Sequence, residues 1–448
     1  MIRVICVIRG CHLPFHANPW RSVLKSVRTL FLGITCPFLV TSTAMAAVGV
    51  PAGFEMSITE KGAKAGVEKS ATSAIQATID AVAARGGGIV RVPKGVFNTG
   101  TIHLKSKVRL FLEKDAILQG SLTLGDYTGS NGAPPALIQI DGQERVSIEG
   151  PGTIDGMNLR KPGGEEGFRG YHTIHVQNSN RIAFRDFTVR NSGNYAFMCR
   201  NMQGATLTRI NIRGGHDGLH AQACRDIKVT DCDFRTGDDA FAGCDNHDIE
   251  VTGTKINSSC NGFRLGCVNL VVRDCEFWGP GEAAHQISGR HNMLAAFVHF
   301  APPDRKPQFP SDRWLIERIT LRDVDALYLY DNERGLWQQG QPAKRIIFRN
   351  IKATGLTKPL RILGDKPQQL EFLLDSADLS YSSQATAGFV IDVSRFGSLK
   401  LKNLTLHHPE GGPLIRAVDG KILTLENIEL RPQTATPYQI ERVAEVIR

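Results

Sequence analysis

The 448-residue sequence has no Pro/Ser-rich linker, no low-complexity tract and no long run of like charge. Linkers of such composition mark domain boundaries, so their absence argues against a division into several domains. Hydrophobic residues make up 42% of the chain, which is ample for a core and argues against disorder. The sequence therefore predicts one continuous structural unit over residues 47–448.

A concentrated positive charge is also missing. The formal net charge is +9, but residues 1–46 contribute five basic residues and no acid, which leaves 48 − 44 = +4 for the remainder. The remaining bases are scattered, and this argues against nucleic acid as a partner. A weak positive balance is compatible with an acidic polymer.

No segment after residue 46 is long and apolar enough to suggest a membrane span. Before it, basic residues through Arg28 precede an apolar stretch at 29–40, and Ala44-Met45-Ala46 fits a small-x-small cleavage site. The stretch is short for a transmembrane helix, so residues 1–46 are predicted to be a signal peptide. We expect export to the periplasm or the extracellular space, with no membrane association after cleavage.

The chain contains no CxxC pair and no Cys/His spacing typical of zinc, so we expect no metal and no cofactor. Seven cysteines follow the predicted signal, and an odd number leaves at least one thiol free. The seven are Cys199, Cys224, Cys232, Cys244, Cys260, Cys267 and Cys275. A disulfide between Cys224 and Cys244 stays open as an expectation.

A repeat with a period near 22 residues is the main pattern present. Apolar segments begin at Ile182, Ala205, Ile227, Ile249 and Leu270, in steps of 23, 22, 22 and 21 residues. Aligned on these starts, the columns Phe184/Leu207/Val229/Val251/Val272 and Val189/Ile212/Phe234/Ile256/Phe277 are apolar throughout. One strand-like alternation per repeat at this period predicts an all-β fold in which coils stack as a parallel β-helix, or solenoid.

Elements outside this repeat fit the same architecture. Residues 70–85 have apolar side chains at helical spacing and are followed by Gly86-Gly87-Gly88, so they predict a helix that caps the open end of the solenoid. Strands are predicted at 89–92, 107–113 and 146–148, and further coils at 346–351, 399–406 and 422–430. The proline-containing interval 281–320 is expected to leave the solenoid as a long excursion.

An acidic column runs along the repeats. Twelve residues after four consecutive starts come Asp217, Asp239, Asn261 and Glu282, and Asp238 lies beside the second. Gly237-Asp238-Asp239 alone is ordinary turn chemistry. Stacking places Asp239 on Asp217 about 5 Å apart, where like charges repel and one pKa must rise. Such an arrangement is unfavourable unless it binds a cation or performs acid–base chemistry, as in glycoside hydrolysis.

Candidate substrate-binding residues lie beside this column. His216 and His220 flank Asp217, and position fifteen of the repeat presents His220, Arg264 and His285 outward. Arg290 and His291 are predicted to complete the patch from the next coil. Three tryptophans, Trp278, Trp314 and Trp337, are candidate sugar platforms, although burial in the core is the commoner role for an aromatic ring.

Four N-terminal segments resemble glycoside hydrolase family 28, the polygalacturonase and rhamnogalacturonase family. They are 74–80 (AIQATID), 86–95 (GGGIVRVPKG), 99–106 (TGTIHLKS) and 152–156 (GTIDG). The resemblance implies a right-handed parallel β-helix of the pectin-lyase-like superfamily. Segments 290–297 and 335–342 resemble a divergent bacterial branch of it.

The acidic residues match the catalytic signature of this family in part. His216-Asp217-Gly218 matches its Asp-Gly, and Gly237-Asp238-Asp239 matches its paired aspartates. The resemblance implies an inverting mechanism, with Asp238 as the general acid and Asp217 and Asp239 activating water. Asn261 stands in place of the family's histidine, and the Arg-Ile-Lys motif is absent, with Arg290 the nearest substitute.

The leading interpretation is an exported glycoside hydrolase of a pectin-type or related acidic polysaccharide, acting as a monomer. The polysaccharide or an oligosaccharide derived from it is the expected partner. Two alternatives stay open at this stage. One is a calcium-dependent polysaccharide lyase that uses the acids as metal ligands and Arg264 or Arg290 as the base. The other is a carbohydrate-binding solenoid without catalysis.

Overall fold

The computed structural model describes residues 53–66, 70–385, 388–408 and 414–448. The predicted signal peptide at 1–46 lies outside these residues. Within them, no helix is long and apolar enough to cross a membrane.

The described chain contains one α-helix, α1 (Thr72–Ala84), and otherwise forms strands and short turns. Short 3-10 turns occur at Ile58–Lys61, Leu124–Asp126, Glu165–Gly167 and Pro303–Arg305. The strands in chain order are β1 Glu55–Ser57, β2 Gly88–Val92, β3 Gly95–Thr99, β4 Ile102–His103, β5 Val108–Leu112, β6 Ala116–Gly120, β7 Ala136–Asp141, β8 Ser147–Glu149, β9 Thr153–Asp155, β10 His172–Gln177, β11 Asn180–Arg185, β12 Thr188–Arg190, β13 Phe197–Arg200, β14 Gln203–Thr208, β15 Asn211–Arg213, β16 Leu219–Gln222, β17 Arg225–Thr230, β18 Asp233–Thr236, β19 Phe241–Thr252, β20 Lys255–Ser258, β21 Asn261–Arg273, β22 Glu276–Trp278, β23 Ala295–His299, β24 Trp314–Arg322, β25 Tyr328–Asp331, β26 Arg345–Leu356, β27 Leu360–Leu363, β28 Glu371–Tyr381, β29 Ile391–His407, β30 Ile415–Arg431 and β31 Tyr438–Ile447.

The strands stack coil upon coil in parallel, as the repeat predicts. The register joins Ile182 to Ala205, Ala205 to Ile227, Ile227 to Ile249 and Ile249 to Leu270. Both predicted apolar columns are buried along their whole length. The register is set strongly because a slip of one residue would turn each apolar column outward.

Helix α1 lies where the sequence places it, at the start of the solenoid. It packs against β1, β2, β4 and β5 and buries Ile75, Ile79 and Val82. The turn after it needs glycine at position 87. Gly87 has φ +116°, and a Cβ atom there would lie 2.4 Å from the Lys107 carbonyl oxygen. The predicted strands and later coils are present too, within β2, β5, β8, β26, β29 and β30.

Two expectations about residues 281–320 were wrong. The interval is not one excursion, because β23 pairs with β21 and β24 also continues the solenoid. The acidic column does not include Glu282, because Asn261 pairs with Ala295. The loop 279–294 inserts extra residues before the next strand and so breaks the 22-residue count. Glu282 is instead exposed and bonds to Arg235 at 2.8 Å.

The Cys224–Cys244 disulfide is not formed, since all seven cysteines of the described chain are free and buried. Their spacing of 20 residues is shorter than a coil of 22. Cys244 therefore falls in the position of Gln222, and Cys224 lies against Asn246, whose Oδ1 accepts its backbone N–H at 3.0 Å. The buried thiols act as small apolar side chains of the core.

Candidate active site

The acidic column opens into a cavity of about 490 Å³ on the side of the solenoid. Residues of β16, β21, β23 and β25 line its floor, and four loops build its walls: 156–171, 279–294, 300–313 and 332–344. Charged side chains of both signs line it. The acids are Glu165, Glu166, Asp217, Asp238 and Asp304, and the arginines are Arg169, Arg264, Arg290 and Arg305.

The three aspartates are held by the residues that follow them. Leu219 and Phe241, two residues after Asp217 and Asp239, point into the core. Phe241 stacks on Phe263 with ring centroids 4.3 Å apart. The parallel pairing of Leu219 with Phe241 and the burial of both side chains fix the start of β16 and β19, so the carboxylates before them come together. One oxygen from each of Asp217, Asp238 and Asp239 lies within 4.8 Å of the other two.

Asp239 is the most buried of the three, with 0% of its surface exposed. Asn261 Nδ2 donates to its Oδ1 at 2.7 Å, and Arg264 Nε donates to its Oδ2 at 2.5 Å. Burial raises the pKa of Asp239, against the opposing charge of Arg264, and the nearby Asp238 raises it further. Asn261 thus supplies a hydrogen-bond donor where the family carries histidine.

Asp217 forms fewer hydrogen bonds than Asp239. Its Oδ2 lies 2.9 Å from His220 Nδ1, but its buried Oδ1 has no hydrogen-bond partner among the described residues. Burial, and then the charges of Asp238 and Asp239, raise the pKa of Asp217 well above its usual range. His220 is buried and stacks on Tyr195 at 4.5 Å, and burial lowers its pKa. Both shifts favour the neutral forms of the two groups in the empty site.

Asp238 has the opposite electrostatic environment. Arg169 Nη2 donates to its Oδ2 at 2.7 Å, His285 Nε2 lies 3.6 Å from the same oxygen, and the Asp239 backbone N–H donates to Oδ1 at 3.1 Å. Burial alone would raise the pKa of Asp238. The contact with His285 and the charges of Arg169 and Arg264 outweigh burial and lower it.

The other predicted site residues divide into two groups. Arg264 and Arg290 line the cavity, and Arg264 lies between the rings of Phe300 and Trp337, 4.7 and 4.9 Å from their centroids. His216 and His291 do not line it. His216 is buried against Phe168, where burial lowers its pKa to about 3. His291 is exposed and bonds to the Gly281 carbonyl at 2.6 Å.

Sequence reasoning missed the contributions of the loops. Arg169, Glu165, Glu166 and Arg305 all line the cavity, yet none belongs to a repeat column or a motif. His285 reaches Asp238 from its loop rather than from position fifteen, where Val298 stands on the strand after Arg264. Among the tryptophans, Trp337 lines the mouth with 41% of its surface exposed, whereas Trp314 is in the core.

Two groups in the described chain have donors close enough for a metal ion: Asp238/Cys260/His285, and the three aspartates. Guanidinium groups already occupy both. Arg169 bonds to Asp238, Arg290 Nη2 lies 2.9 Å from Cys260 Sγ, and Arg264 bonds to Asp239. A cation placed among these arginines would meet strong repulsion, so the donor set does not fit a metal. This observation disfavours the calcium-dependent lyase.

His299 ties the loops 300–313 and 332–344 together beneath the cavity wall. Its Nδ1 lies 2.8 Å from Ser311 Oγ and its Nε2 2.8 Å from the Gln341 carbonyl. Burial lowers the pKa of His299 to about 4.

We expect the free energy of unfolding to decrease as the pH is lowered, and we expect His299→Gln to reduce this decrease. Between an unfolded pKa near 6.5 and the folded value near 4, the unfolded state binds the extra proton, so stability is lost as pH decreases through this window. The loss attributable to this residue is about 3 kcal/mol. Urea unfolding of both proteins from pH 7 to pH 4 measures it. Parallel curves would contradict the prediction.

The fold is a parallel β-helix with a cluster of buried carboxyl groups on one side. Residues 86–269 match the model of Glycosyl hydrolases family 28. The resemblance to this family is therefore confirmed over this part of the chain. A probable polygalacturonase of Vitis vinifera is 28% identical over 180 residues, which cover 35% of this chain and 37% of that relative. The chain thus aligns with little more than a third of that relative's length.

Solved structures support the fold alone. A family 28 exopolygalacturonase of Yersinia enterocolitica superposes with a TM-score of 0.56 and 14% identity, covering 88% of this chain and 78% of that one. PfbA, a surface adhesin of Streptococcus pneumoniae, gives 0.54 and 14%, covering 88% and 92%. The predicted right-handed parallel β-helix is confirmed. Because an enzyme and an adhesin match about equally well, the fold does not decide function, and the site must.

Proposed function

We propose that residues 47–448 act as one exported catalytic domain that hydrolyses glycosidic bonds in a pectin-type or related acidic polysaccharide. The observation that carries the proposal is a cluster of three buried aspartates in contrasting environments, of which Asp217 and Asp238 line one cavity and Asp239 lies beside them. Carboxyl groups whose pKa values are driven apart divide acid and base roles between them. A polysaccharide-binding surface without catalysis has no need of such an arrangement.

Asp238 is the proposed general acid, since it lines the cavity with 7% of its surface exposed. It would donate its proton to the leaving glycosidic oxygen. Asp217 and Asp239 would activate the attacking water. The unpartnered Oδ1 of Asp217 is placed to accept a hydrogen bond from that water, and Arg264 and Asn261 hold Asp239 in position.

The separation of the carboxylates bears on the stereochemistry. Oxygens within 4.8 Å are closer than the ~6.5–9.5 Å between carboxyl groups usual in inverting glycosidases. We nevertheless propose inversion, as the family resemblance implies. A carboxylate nucleophile must itself reach the anomeric carbon, and Asp239 is fully buried with both oxygens bonded, while Asp217 is only 2% exposed. A water molecule can enter where these side chains cannot extend.

Two arginines of the cavity fit an acidic sugar. Within the described residues, neither Arg290 nor Arg305 forms an ion pair, unlike Arg169 and Arg264. Arg290 bonds to the Ser259 carbonyl at 3.0 Å and to Cys260, and Arg305 lies 3.5 Å from His220 Nε2. Guanidinium groups bind carboxylates strongly, so we assign this pair to the carboxylate of a uronic acid.

The test uses purified residues 47–448 with galacturonan and rhamnogalacturonan oligosaccharides. Reducing ends, the ultraviolet absorbance of unsaturated products and the anomeric NMR signal of the first product are followed together, with and without chelator. New reducing ends of inverted configuration without absorbance support the proposal. Chelator-sensitive absorbance would identify a lyase. Binding without any product would identify a carbohydrate-binding solenoid.

Arg305→Gln is expected to weaken kcat/KM about 10- to 100-fold on the acidic oligosaccharide, because a charge-assisted contact worth ~1.5–3 kcal/mol is lost. On the same oligosaccharide with its carboxyls reduced to alcohols, the change should stay within about twofold. Lys306→Gln is the matched control, since it removes one positive charge from the neighbouring, exposed position. Equal losses on both substrates would refute the assignment of Arg305.

A further inference from the structure

Arg169 occupies an unexpected place beside the proposed general acid. A general acid must carry a proton when the substrate reacts, and an arginine bonded to it favours the ionised form. Arg169 is 4% exposed and its Nη2 lies 2.7 Å from Asp238 Oδ2. The empty site is thus built to keep the proton off the residue that must deliver it. Burial of Asp217 beside two other acids favours the proton there instead.

A second carboxylate is already bonded to the same guanidinium. Arg169 Nε donates to Glu166 Oε2 at 2.5 Å, and the Glu166 side chain is 36% exposed. Both residues belong to the loop 156–171. That loop is tied to the solenoid through Glu165, which accepts hydrogen bonds from Tyr195 Oη at 2.8 Å and from Asn194 Nδ2 at 3.0 Å. Arg169 can therefore leave Asp238 without losing its whole ionic environment.

We propose that Arg169 is a substrate-displaced latch: in the empty enzyme it holds Asp238 ionised, and a sugar entering the cavity moves it toward Glu166 and frees Asp238 to take the proton. The inference rests on the proposed function, because it assumes that Asp238 must be protonated. Arg169 acts through Asp238 and is a positioning residue. The latch would restrict the reactive protonation state to the occupied site.

Several other groups surround Asp238 and stay in place when Arg169 is changed. They are Glu166 from the loop 156–171, His216, Asp217 and His220 from the preceding coil, Asp239 beside it, Cys260 and Arg264 from the following coil, and His285 from the loop 279–294. Effects of Arg169 variants can therefore be compared within one constant background.

The test compares Arg169→Gln with Arg160→Gln, an exposed arginine of the same loop that stacks on Phe168. An opposite charge at this distance lowers a carboxyl pKa by about 1–3 units. Because Asp238 must be protonated, its pKa sets the alkaline limb of the pH profile. Since kcat/KM reports the free enzyme, Arg169→Gln should move the alkaline limb of kcat/KM up by about one unit and raise kcat/KM about tenfold at pH values above that limb. Since kcat reports the complex, where the latch is open, kcat should change less than about twofold.

Glu166→Gln provides a second variant with the opposite sign. It weakens the site that receives Arg169, so kcat/KM should fall and its alkaline limb should move down. Arg169→Lys should retain the wild-type profile. The latch would be overturned if Arg169→Gln lowered both kcat and kcat/KM without moving the limbs of their pH profiles. That result would show that Arg169 contacts the substrate or has a structural role. A profile identical to that of Arg160→Gln would also overturn the latch.

A measurement without turnover separates this inference from the proposed function. In protein labelled with ¹³C at aspartate carboxyls, the Asp238 signal, assigned by its absence in Asp238→Asn, should titrate about one unit higher in Arg169→Gln than in the wild type. An unshifted titration would overturn the latch even if the wild type hydrolyses the oligosaccharides. If the Asp238 titration is shifted in Arg169→Gln but the wild type shows no turnover, the proposed function is rejected. The shift would still confirm that Arg169 holds Asp238 ionised.

Discussion

Asp238→Asn is expected to lower kcat by about 10³- to 10⁴-fold on the substrate that the oligosaccharide panel identifies. General acid–base catalysis contributes roughly 10²–10⁴-fold, and we expect the loss of the proton donor to the leaving glycosidic oxygen to lie at the upper end. Asparagine has the size of aspartate, and its Oδ1 can still accept the hydrogen bond from the Asp239 N–H, whereas its Nδ2 cannot accept one from Arg169. It has no proton of suitable acidity to donate.

The fold should survive this substitution. The backbone carbonyl of Asp238 accepts hydrogen bonds from Thr236 Oγ1 at 2.6 Å and Ser258 Oγ at 2.7 Å, and neither depends on the carboxylate. Arg169 also retains Glu166. Asp231→Asn is the matched control, at an exposed position with φ +54° that asparagine tolerates, and it should keep full activity. Turnover by Asp238→Asn within about tenfold of wild type would reject Asp238 as the general acid.

Arg264→Met is expected to destabilise the protein by about 3–5 kcal/mol, the largest effect on stability predicted for the site. It leaves Asp239 fully buried without the cation that its Oδ2 contacts. Removing one partner of a buried ion pair leaves the other charge uncompensated in an environment that solvates it poorly. Methionine is a long, flexible apolar side chain that can pack against Phe300 and Trp337, which Arg264 contacts, so we expect the loss to come from the charge rather than from a cavity.

A double variant distinguishes these causes. Asp239→Asn combined with Arg264→Met removes both charges and should recover most of the lost stability, although not the activity, because Asp239 is a proposed base. Arg235→Met is the control. This arginine pairs with Asp233 and Glu282 near the surface, and its loss should change stability by no more than about 1 kcal/mol. Urea unfolding at pH 7 measures all four proteins. A double variant as unstable as Arg264→Met would mean that packing dominates.

The repeats could be predicted from the sequence because their determinants are local. Each coil of the central region repeats an apolar alternation near 22 residues, and burial of that face fixes the register without reference to distant residues. The columns from Phe184 and Val189 are confirmed by the observed pairing. The juxtaposition of Asp217 with Asp239 follows from the same register, since Leu219 pairs with Phe241 two residues later.

The prediction failed wherever the coil length changed. Counting by 22 placed Glu282 and His285 on the solenoid, but the loop 279–294 shifts the next strand to Ala295. A shortened interval similarly separated Cys244 from Cys224. An insertion in a surface loop does not disturb the apolar columns, so the repeat pattern does not reveal it. Its length nevertheless shifts the repeat position assigned to every residue after it.

The sequence by itself determined the stacked coils, the helix at their start and the line of acids along one side, because each depends on residues near one another in the chain. The tertiary structure decided which acid meets which cation. Arg169 reaches Asp238 across 69 residues, and Arg264 reaches Asp239 across 25. The electrostatic contrast among the three aspartates depends on burial and on charges brought from separate loops. These distances do not exist until the chain has folded.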